Sequence, residues 1–417
     1  MRHQWRDYYK SQKTRGLRAW SSLVSRGPVV VVALGILILI LVAYHATQVR
    51  ERQRPERVTE RLETLRAQLA PPPDFTSKWK PPPEFVKGIY VSAAAAGTTK
   101  MFARLVDLVD RTEINSMVID VKDGNGALAF IPTDPTLADH VAKHPSIPDL
   151  KAFTAPLREK GIYLIARLFV FQDPAYVALH PEVAVKSKAT GGIWRDRKGI
   201  PWVDPGHKEA WDYAVKIARE AYAGGFDEVQ FDYIRFPSDG AMSDIRYPVF
   251  DATKTTKAQN MEAFFKYISD ELHGSGVKLS VDLFGLVMWQ HVYDLNIGQR
   301  LDIAAKHFDF ISPMVYPSHY PRGFEGFPNP ADFPYEIVHD NLLRGQPLMA
   351  RLHSENPGVK IATIRPWLQD FDLGADYDAA KVKAQMKAAV DGGASGWILW
   401  NARNVYTEEA LQAETAN

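Results

Sequence analysis

The sequence predicts an α/β protein: a (β/α)₈ barrel (TIM barrel) over residues 86–417, preceded by a single N-terminal transmembrane helix and a helical, proline-rich stalk. Eight short apolar segments, each followed by an amphipathic stretch, predict the barrel, because this alternation is typical of βα units and a parallel sheet. A run of eighteen residues without a charge, at 27–44, predicts the transmembrane helix. Two triple-proline runs separate the two parts.

The eight apolar segments are the predicted strands, at 87–92, 116–122, 162–169, 228–233, 278–284, 308–315, 360–365 and 396–401. The predicted helices lie at 100–112, 150–160, 208–223, 256–275, 297–307, 335–353, 378–391 and 407–413. Eight such units in series favour closure into a barrel. The alternative is an open doubly wound sheet. That fold usually carries a glycine-rich phosphate loop after its first strand, whereas residues 92–97 are alanine-rich.

The chain before the barrel divides into three predicted segments: a cytoplasmic basic tail at 1–26, a transmembrane helix at 27–45, and a charged helical stalk with a proline-rich linker at 46–85. Seven Lys and Arg residues precede the span and only Asp7 opposes them, so the positive-inside rule places the N-terminus in the cytoplasm. We therefore expect a single-pass protein of the cell membrane with a periplasmic or extracellular barrel. A cleaved signal peptide is the alternative, but no small-residue cleavage site follows the span.

The stalk has a thin apolar stripe at Val58, Leu62, Leu65 and Leu69 within the charged helical pattern of residues 48–70. The spacing of four, three and four residues suits a short coiled coil, through which the chain would self-associate weakly. A solvated single helix is the interpretation we favour. The proline runs at 71–73 and 81–83 then form a semi-rigid spacer.

Charge and composition exclude several classes of function. Residues 1–70 carry a net charge of +8 and the remainder −7. A mildly acidic folded part argues against nucleic-acid binding, which needs a basic surface. The chain has no Cys, so disulfides and thiolate chemistry are excluded. Its 12 His residues show no metal-ligand spacing, so we expect no metal and no other cofactor.

Polar side chains lie where the predicted strands end. Long connections at about 123–148, 170–206, 234–255 and 316–333 open from C-terminal strand ends, and in α/β barrels that face carries the active site. Asp120 lies near the end of strand 2, Asp232 near the end of strand 4 and Asp282 near the end of strand 5. Alternation along each strand can turn these carboxylates inward at the barrel mouth. We expect Arg167 and Arg365 to lie between them.

This set of side chains suits cleavage of a glycosidic bond. The reaction needs one protonated carboxyl that donates to the leaving oxygen and one ionised carboxylate that attacks the anomeric carbon or activates water. We assign Asp232 as the nucleophile or base, held charged by Arg167, because an arginine keeps a carboxylate ionised. Asp282 is the leading candidate for the acid and Asp120 is the reserve. Each carboxylate also has a structural interpretation, such as Asp120 or Asp123 capping the turn after strand 2.

Further residues near the strand ends are candidates for substrate binding. Aromatic rings stack on the apolar faces of sugars, while polar groups bind the hydroxyls. The predicted substrate-binding residues are Tyr90, Asp123, Arg167, Gln230, Tyr233, Arg235, Tyr316, Arg365, Trp367, Trp400 and Asn401. For any single ring, packing within the core is the alternative.

Five stretches of the chain, at 87–94, 118–126, 226–237, 311–320 and 397–401, resemble one bacterial family of glycoside hydrolases with an amylase-like α/β barrel. The resemblance covers roughly residues 86–402, and the strand 4 motif at 226–237 is its most specific element. It implies the barrel fold and a glycosidase activity, with the nucleophile at Asp232 and the acid at Asp282. The amylase pattern has Glu at the position of Asp282 and Arg at that of Gln230. The ionising partner of Asp232 would then be Arg167 or Arg235.

The expected function is a membrane-anchored, extracytoplasmic glycoside hydrolase that cleaves a cell-envelope or extracellular polysaccharide by carboxylate acid/base catalysis. The alternative is a non-catalytic barrel that binds glycans or serves as a scaffold in the envelope. The sequence leaves the stereochemical outcome open. It depends on the separation of the two carboxyl groups, about 5–5.5 Å in retaining enzymes and about 6.5–9.5 Å in inverting ones.

Overall fold

A computed structural model describes residues 81–412, and its central feature is an all-parallel sheet. The strands of this sheet are β1 (Val86–Val91), β2 (Ser116–Asp120), β3 (Tyr163–Phe169), β4 (Glu228–Asp232), β5 (Lys278–Phe284), β6 (Phe310–Met314), β7 (Thr363–Ile364 and Trp367–Gln369) and β8 (Gly396–Trp400). The predicted segments at 1–26 and 27–45, and most of the segment at 46–85, lie outside the described residues. Within residues 81–412, no helix is both long enough and apolar enough to cross a membrane.

The sheet closes on itself as a barrel. Strand β1 pairs in parallel with both β2 and β8, and Gly88 lies opposite Ser116 on one side and Ile398 on the other. The ladder runs on from β2 through β3, β4 and β5 to β6. Strand β6 then pairs with β7, and β7 with β8, which completes the circle. The prediction of a (β/α)₈ barrel is confirmed, and the open sheet is excluded.

Strand β7 differs from its predicted position at 360–365, since it runs in two short pieces as far as Gln369. Pro366 has no N–H to donate and interrupts the hydrogen-bond ladder. Around it, Arg365 N donates to Ile311 O at 2.8 Å, and Ile398 N donates to Pro366 O at 3.0 Å. These two bonds keep the interrupted strand joined to its neighbours on both sides.

Helices follow most of the strands. The barrel helices are α1 (Thr99–Arg111), α2 (Leu150–Glu159), α3 (Lys208–Ala223), α4 (Lys257–Leu272), α5 (Leu301–Ala304), α6 (Pro334–Glu355) and α7 (Ala379–Asp391). Two further short helices, Ala93–Ala96 and Pro174–Leu179, lie in the connections after β1 and β3. Helix α5 is much shorter than the predicted 297–307: it begins only at Leu301, because Gly298 has a φ of +84°, which a helix cannot contain, and it ends at Ala304. After β8, the predicted helix at 407–413 is reduced to the 3₁₀ turn Glu408–Ala410.

Alternation along the strands divides the apolar side chains between two cores. Most of them pack between the strands and the surrounding helices. A smaller cluster fills the barrel interior: Tyr90, Val118, Tyr163, Ile165, Tyr316, Trp367 and Ile398. The strand register places polar residues on the same inward face, with Asp120 opposite Arg167 and Gln230 opposite Ser280. The barrel interior therefore holds polar side chains beside its apolar cluster, and Asp120 and Arg167 lie towards the C-terminal ends of their strands.

The connections after β2, β3, β4 and β6 are long, as predicted, and cover the C-terminal end of the barrel. A small antiparallel ribbon joins two of them, with Lys186–Ser187 from the connection after β3 paired to Ile245–Arg246 from the connection after β4. The ribbon fixes these two connections relative to each other. They form one wall beside the barrel mouth.

Candidate active site

Arg167 of β3 binds three carboxylates at the barrel mouth. Its Nη1 lies 2.6 Å from Asp120 Oδ1, its Nε lies 3.4 Å from Asp282 Oδ2, and its Nη2 contacts Asp232 Oδ2. None of these four side chains is more than 9% exposed. The structure thus brings together the three carboxylates that the sequence singled out. Among residues 81–412, no group of three His, Asp or Glu side chains is placed to hold a metal ion.

Tyr90 and Trp400 enclose this cluster from the side of β1 and β8. The Tyr90 hydroxyl donates to Asp120 Oδ2 at 2.5 Å, so both Asp120 oxygens accept a hydrogen bond. The rings of Tyr90 and Trp400 stack with their centroids 4.0 Å apart. The Arg167 guanidinium lies 5.5 Å from the first ring centroid and 5.1 Å from the second. These cation–π contacts and the hydrogen bond restrict the orientation of both members of the Arg167–Asp120 pair.

Asp282 is the most deeply buried of the three carboxylates. Its Oδ1 accepts hydrogen bonds from Gln230 Nε2 at 2.8 Å and from Trp367 Nε1 at 2.7 Å. Gln230 Nε2 also lies 3.0 Å from Ser312 Oγ. Gln230 and Trp367 were predicted to bind substrate, but both are enclosed below the mouth. Their position suits them to orient Asp282 rather than to contact a ligand.

Asp232 ends β4, and the backbone turns sharply after it. Tyr233 has a φ of +52°, in the left-handed region that residues other than glycine seldom adopt. Such a conformation costs roughly 1–2 kcal/mol. The Tyr233 N–H donates to Asp232 Oδ1 at 2.6 Å, so the turn fixes the carboxylate that it follows. Backbone strain of this kind clusters at functional sites.

Burial and charge together set the protonation of the cluster. Burial raises the pKa of the Asp282 carboxyl well above its ordinary value, the charge of Asp232 raises it further, and Arg167 offsets only part of this. Burial also raises the pKa of Asp120, against the opposing effects of Arg167 and Tyr90. Burial lowers the pKa of Arg167, but the charges of the surrounding carboxylates outweigh it and raise that pKa overall. Asp282 is therefore the carboxyl best suited to hold a proton, and Arg167 stays charged.

A cavity of about 570 Å³ lies beside the cluster, at the C-terminal ends of β6, β7 and β8. Its lining residues are Tyr316, His319, Phe371, Asp372, Leu373, Trp400, Asn401, Ala402 and Arg403. Trp400 belongs both to this lining and to the contacts of Arg167, so the cavity adjoins the carboxylates. The volume is in the range of small-molecule sites in proteins. Of the predicted substrate-binding residues, Tyr316, Trp400 and Asn401 line it.

Arg365 is not at the mouth, so the expectation that it lies between the carboxylates is wrong. It forms a fully buried ion pair with Glu228, the first residue of β4. The Tyr163 hydroxyl donates to Glu228 Oε2 at 3.0 Å. Because Glu228 and Tyr163 begin their strands, this group lies at the opposite, N-terminal end of the barrel. The pair could have been inferred, since Glu228 shares the inward face of strand 4 with Asp232 and a buried acid needs a cation.

Asp123 caps the turn after β2, which was the structural alternative to a role in substrate binding. Its Oδ1 accepts hydrogen bonds from Asn125 N at 2.8 Å and Ala127 N at 3.0 Å. An Asp that binds backbone N–H groups in this way fixes a turn. The structure therefore gives Asp123 a role in the shape of the connection after β2.

Two aromatic residues of the site were missed by the sequence analysis. The Phe169 ring lies 5.0 Å from the Arg167 guanidinium. Its position could have revealed it, because it follows Arg167 by two residues in the same strand and so shares its face. Trp202 comes from the long connection after β3 and packs its ring 4.7 Å from the Arg235 guanidinium. No periodicity marks a residue in such a connection, so the sequence carried no signal for it.

A protein-family model matches residues 88–406, and its description is "Putative glycosyl hydrolase domain". The match covers more than half of the chain and includes most of β1, all of β2–β8, Arg167 and the three carboxylates. The chain belongs to this glycosyl hydrolase family. The resemblance drawn from the strand motifs is thereby confirmed at the level of a glycosyl hydrolase barrel. No curated protein matches the sequence.

Solved structures add to the description of this glycosyl hydrolase family member. A hypothetical protein from Ruminiclostridium thermocellum ATCC 27405 is 34% identical, with a match covering 46% of this chain and 96% of that one and a TM-score of 0.42. The PgaB (BpsB) glycoside hydrolase domain from Bordetella bronchiseptica is 15% identical, with coverage of 77% and 95% and a TM-score of 0.55. At 15% identity the second similarity shows the fold alone: a barrel like that of a glycoside hydrolase domain.

Proposed function

We propose that this member of the glycosyl hydrolase family cleaves a polysaccharide at the Arg167 cluster, with Asp232 as the nucleophile and Asp282 as the acid. The observation that carries the proposal is that three carboxylates share one buried guanidinium next to an open cavity. Glycosidic cleavage needs two carboxyl groups in opposite protonation states. The raised pKa of Asp282 suits that residue to the protonated role, and Asp232, which contacts Arg167 Nη2, is assigned the ionised one.

In the first step, an ionised Asp232 oxygen attacks the anomeric carbon, and the proton of Asp282 passes to the leaving oxygen. The glycosidic bond breaks and a glycosyl ester forms on Asp232. In the second step, Asp282 takes a proton from water as the water attacks the anomeric carbon, which frees Asp232 and returns the proton. Asp120, whose two oxygens are held by Arg167 and Tyr90, fixes the guanidinium and takes no part in proton transfer.

The contacts of Arg167 favour a retaining outcome over an inverting one. Asp232 and Asp282 bind Nη2 and Nε, which are neighbouring nitrogens of the same guanidinium. Two carboxylates held in this way lie close together. An inverting enzyme needs a gap of about 6.5–9.5 Å that admits a water between its carboxyl groups. A close pair leaves no room for that water and suits direct attack by Asp232.

The cavity supplies the binding surface for the sugar chain. The exposed parts of Trp400 and Phe371 offer aromatic faces for stacking, and His319, Asn401 and Arg403 offer polar groups for hydroxyls. Because Trp400 also contacts the Arg167 guanidinium, a sugar stacked on this ring would lie next to the carboxylates.

The first test is hydrolysis by the full-length chain, purified in a non-ionic detergent, on a panel of neutral, N-acetylated and uronic-acid-containing polysaccharides. We expect new reducing ends from at least one of them. The rate should fall as the pH rises through the raised pKa of Asp282, because the acid must be protonated. Binding of a glycan without cleavage of any panel member would contradict the proposal and favour the alternative of a non-catalytic glycan-binding barrel.

We further propose that residues 27–45 anchor the chain in the cell membrane and place the barrel outside the cytoplasm, where polysaccharides of the envelope lie. The basis is the charge-free run with basic residues before it. The test uses a bacterium that expresses the full chain, treated so that the layers outside the cytoplasmic membrane admit protease while that membrane stays intact. Added protease should degrade the barrel and spare a cytoplasmic marker protein. Protection of the barrel together with the marker, or recovery of the chain in the soluble fraction, would contradict this location.

A further inference from the structure

Arg235, three residues after Asp232, is a second arginine near the barrel mouth, and the Arg167 cluster does not use it. Its residue surface is only 8% exposed. Among residues 81–412, no acidic side chain forms an ion pair with it within 4.0 Å. Its Nη1 donates hydrogen bonds to Phe236 O at 3.2 Å and to Ser238 Oγ at 3.1 Å. Most of the donors of its guanidinium have no partner in the described chain.

Three aromatic rings hold this guanidinium in place. Its carbon lies 4.7 Å from the ring centroid of Trp202, 4.8 Å from that of Phe284 and 5.4 Å from that of Tyr233. The rings come from the connection after β3, the end of β5 and the end of β4. Stacking of this kind satisfies the faces of a guanidinium and leaves its N–H donors in the plane between the rings.

The same rings connect Arg235 to the catalytic cluster. The Tyr233 ring lies 6.0 Å from the ring of Phe169, which in turn lies 5.0 Å from the Arg167 guanidinium. Tyr233, Phe169 and Phe284 are each only partly buried. Arg235 therefore lies behind partly buried aromatic rings near the carboxylates and not in a separate part of the barrel.

Burial of a cation without a counterion costs free energy, and the nearby acids relieve only part of this cost. Burial lowers the pKa of Arg235 below its ordinary value, although the charges of Asp232, Asp239 and Asp196 act in the opposite direction. Asp232 is bound to Arg167, and the Asp196 carboxylate accepts the Trp202 Nε1–H at 3.0 Å. Asp239 accepts a backbone N–H at 3.2 Å. Buried charges in proteins are almost always paired, so the missing partner is to be sought outside the chain.

We propose that Arg235 binds the carboxylate of an acidic sugar in the substrate, so that the enzyme acts on a uronic-acid-type or other carboxylate-bearing glycan. The inference rests on the proposed function, because it requires the barrel mouth to bind a glycan. The planar guanidinium matches a carboxylate with two parallel hydrogen bonds. Arg167 is already bound to three carboxylates, whereas Arg235 is a buried cation near the mouth with no acidic partner within 4.0 Å among residues 81–412. Tyr233 and Phe284 supply faces for the same sugar ring.

The test compares matched oligosaccharides that differ only in charge: oligogalacturonates and hyaluronan oligosaccharides against their carboxyl-reduced counterparts. Binding is measured by calorimetry with the full chain carrying Asp232→Asn, which prevents turnover. We expect at least one acidic probe to bind roughly tenfold or more tightly than its reduced form, as a charge-assisted bidentate contact allows. Added Arg235→Gln should remove this preference, because Gln can still donate to Phe236 O but carries no charge.

Two further variants separate recognition from a structural role. Arg235→Lys keeps the positive charge but lacks the two parallel donors of a guanidinium, so it should retain a reduced preference for acidic probes. This variant also keeps the test valid if Arg235→Gln fails to fold. Arg219→Gln, at an exposed arginine of α3 paired with Glu271, is the matched control and should leave the preference intact. A merely structural Arg235 would weaken binding of acidic and reduced probes alike.

The inference is overturned if no acidic probe binds more tightly than its reduced form, or if no probe binds at all. It is also overturned if the preference for acidic probes survives in Arg235→Gln, or if sulfated oligosaccharides bind more tightly than carboxylated ones. These results differ from failure of the proposed function. If the chain cleaves neutral glycans and Arg235→Gln leaves the rate unchanged, carboxylate recognition by Arg235 is contradicted and the hydrolase activity stands. If acidic glycans bind in a way that depends on Arg235 but no glycan is cleaved, the recognition site stands and the hydrolase activity is contradicted.

Discussion

Asp232→Asn is expected to lower kcat by roughly 10³–10⁵-fold on the polysaccharide that the wild-type chain cleaves fastest. An amide has nearly the shape of a carboxylate but cannot form the glycosyl ester, so the chemical step is lost. Binding should survive, because Trp400 and the cavity beside it are unchanged. The measurements are initial rates of reducing-end release and calorimetric binding of the same glycan.

The matched control for this variant is Asp107→Asn on α1, where the carboxylate is 62% exposed and pairs with Arg111. It should leave both rate and binding unchanged, since it lies on the outer surface of the barrel. If Asp232→Asn retained more than about a tenth of the wild-type rate, Asp232 would not be the nucleophile, because that loss is smaller than acid–base groups ordinarily contribute.

Arg167→Met should give the largest loss of stability of any single substitution at the mouth. It leaves Asp120, Asp232 and Asp282 buried together without their cation, and removal of one partner of a buried ion pair costs about 3–5 kcal/mol. We expect the free energy of unfolding at pH 7.5 to fall by about that amount. The measurement is urea unfolding followed by intrinsic tryptophan fluorescence.

The same variant should recover part of its stability in acid. Asp120 and Asp282 no longer have the cation that favours their charged form, so their pKa values in the folded state, already raised by burial, rise further above the unfolded value of about 3.9. A carboxyl with a raised folded-state pKa contributes stability below its unfolded pKa and loses it as pH rises through the folded pKa. The difference in unfolding free energy between wild type and Arg167→Met should therefore shrink as the pH falls from 7.5 towards 5.

Arg219→Met is the control for the stability measurement, because this arginine is 56% exposed and its ion pair is on the surface. It should change the unfolding curve little at either pH. Unfolding midpoints of Arg167→Met that match wild type at pH 7.5, or a difference that grows in acid, would mean that Arg167 does not hold the three carboxylates together.

The barrel and its carboxylates could be predicted because both follow from strand periodicity. Inward-facing positions repeat every second residue, so Asp232 and Gln230 fall on one face of strand 4 as soon as the strand is recognised. The C-terminal ends of parallel strands meet at one end of a barrel, which brings Asp120, Asp232 and Asp282 to one place. Strand direction and alternation were sufficient for these contacts.

Two features of the site were not predicted in this way: the position of Arg365 along the barrel axis and the residues that the long connections supply. The depth of a side chain in the barrel depends on the stagger between strands. Strand 7 was predicted to end at Arg365, which would place this residue at the mouth. The strand continues to Gln369, and Arg365 pairs with Glu228 deeper in the barrel. The interruption at Pro366 and the extension to Gln369 are the physical source of that error. Trp202 lies in a connection without periodicity, so only the fold brings it to Arg235.

The anomeric configuration of the first product tests the central claim most directly, namely that Asp232 and Asp282 act as a close nucleophile–acid pair on Arg167. It is measured by proton NMR within the first turnovers, before mutarotation, on the polysaccharide that the full chain cleaves. The product should keep the configuration of the bond that was cleaved. A product of inverted configuration would mean that water attacks directly, and it would contradict the assignment of Asp232 as the nucleophile.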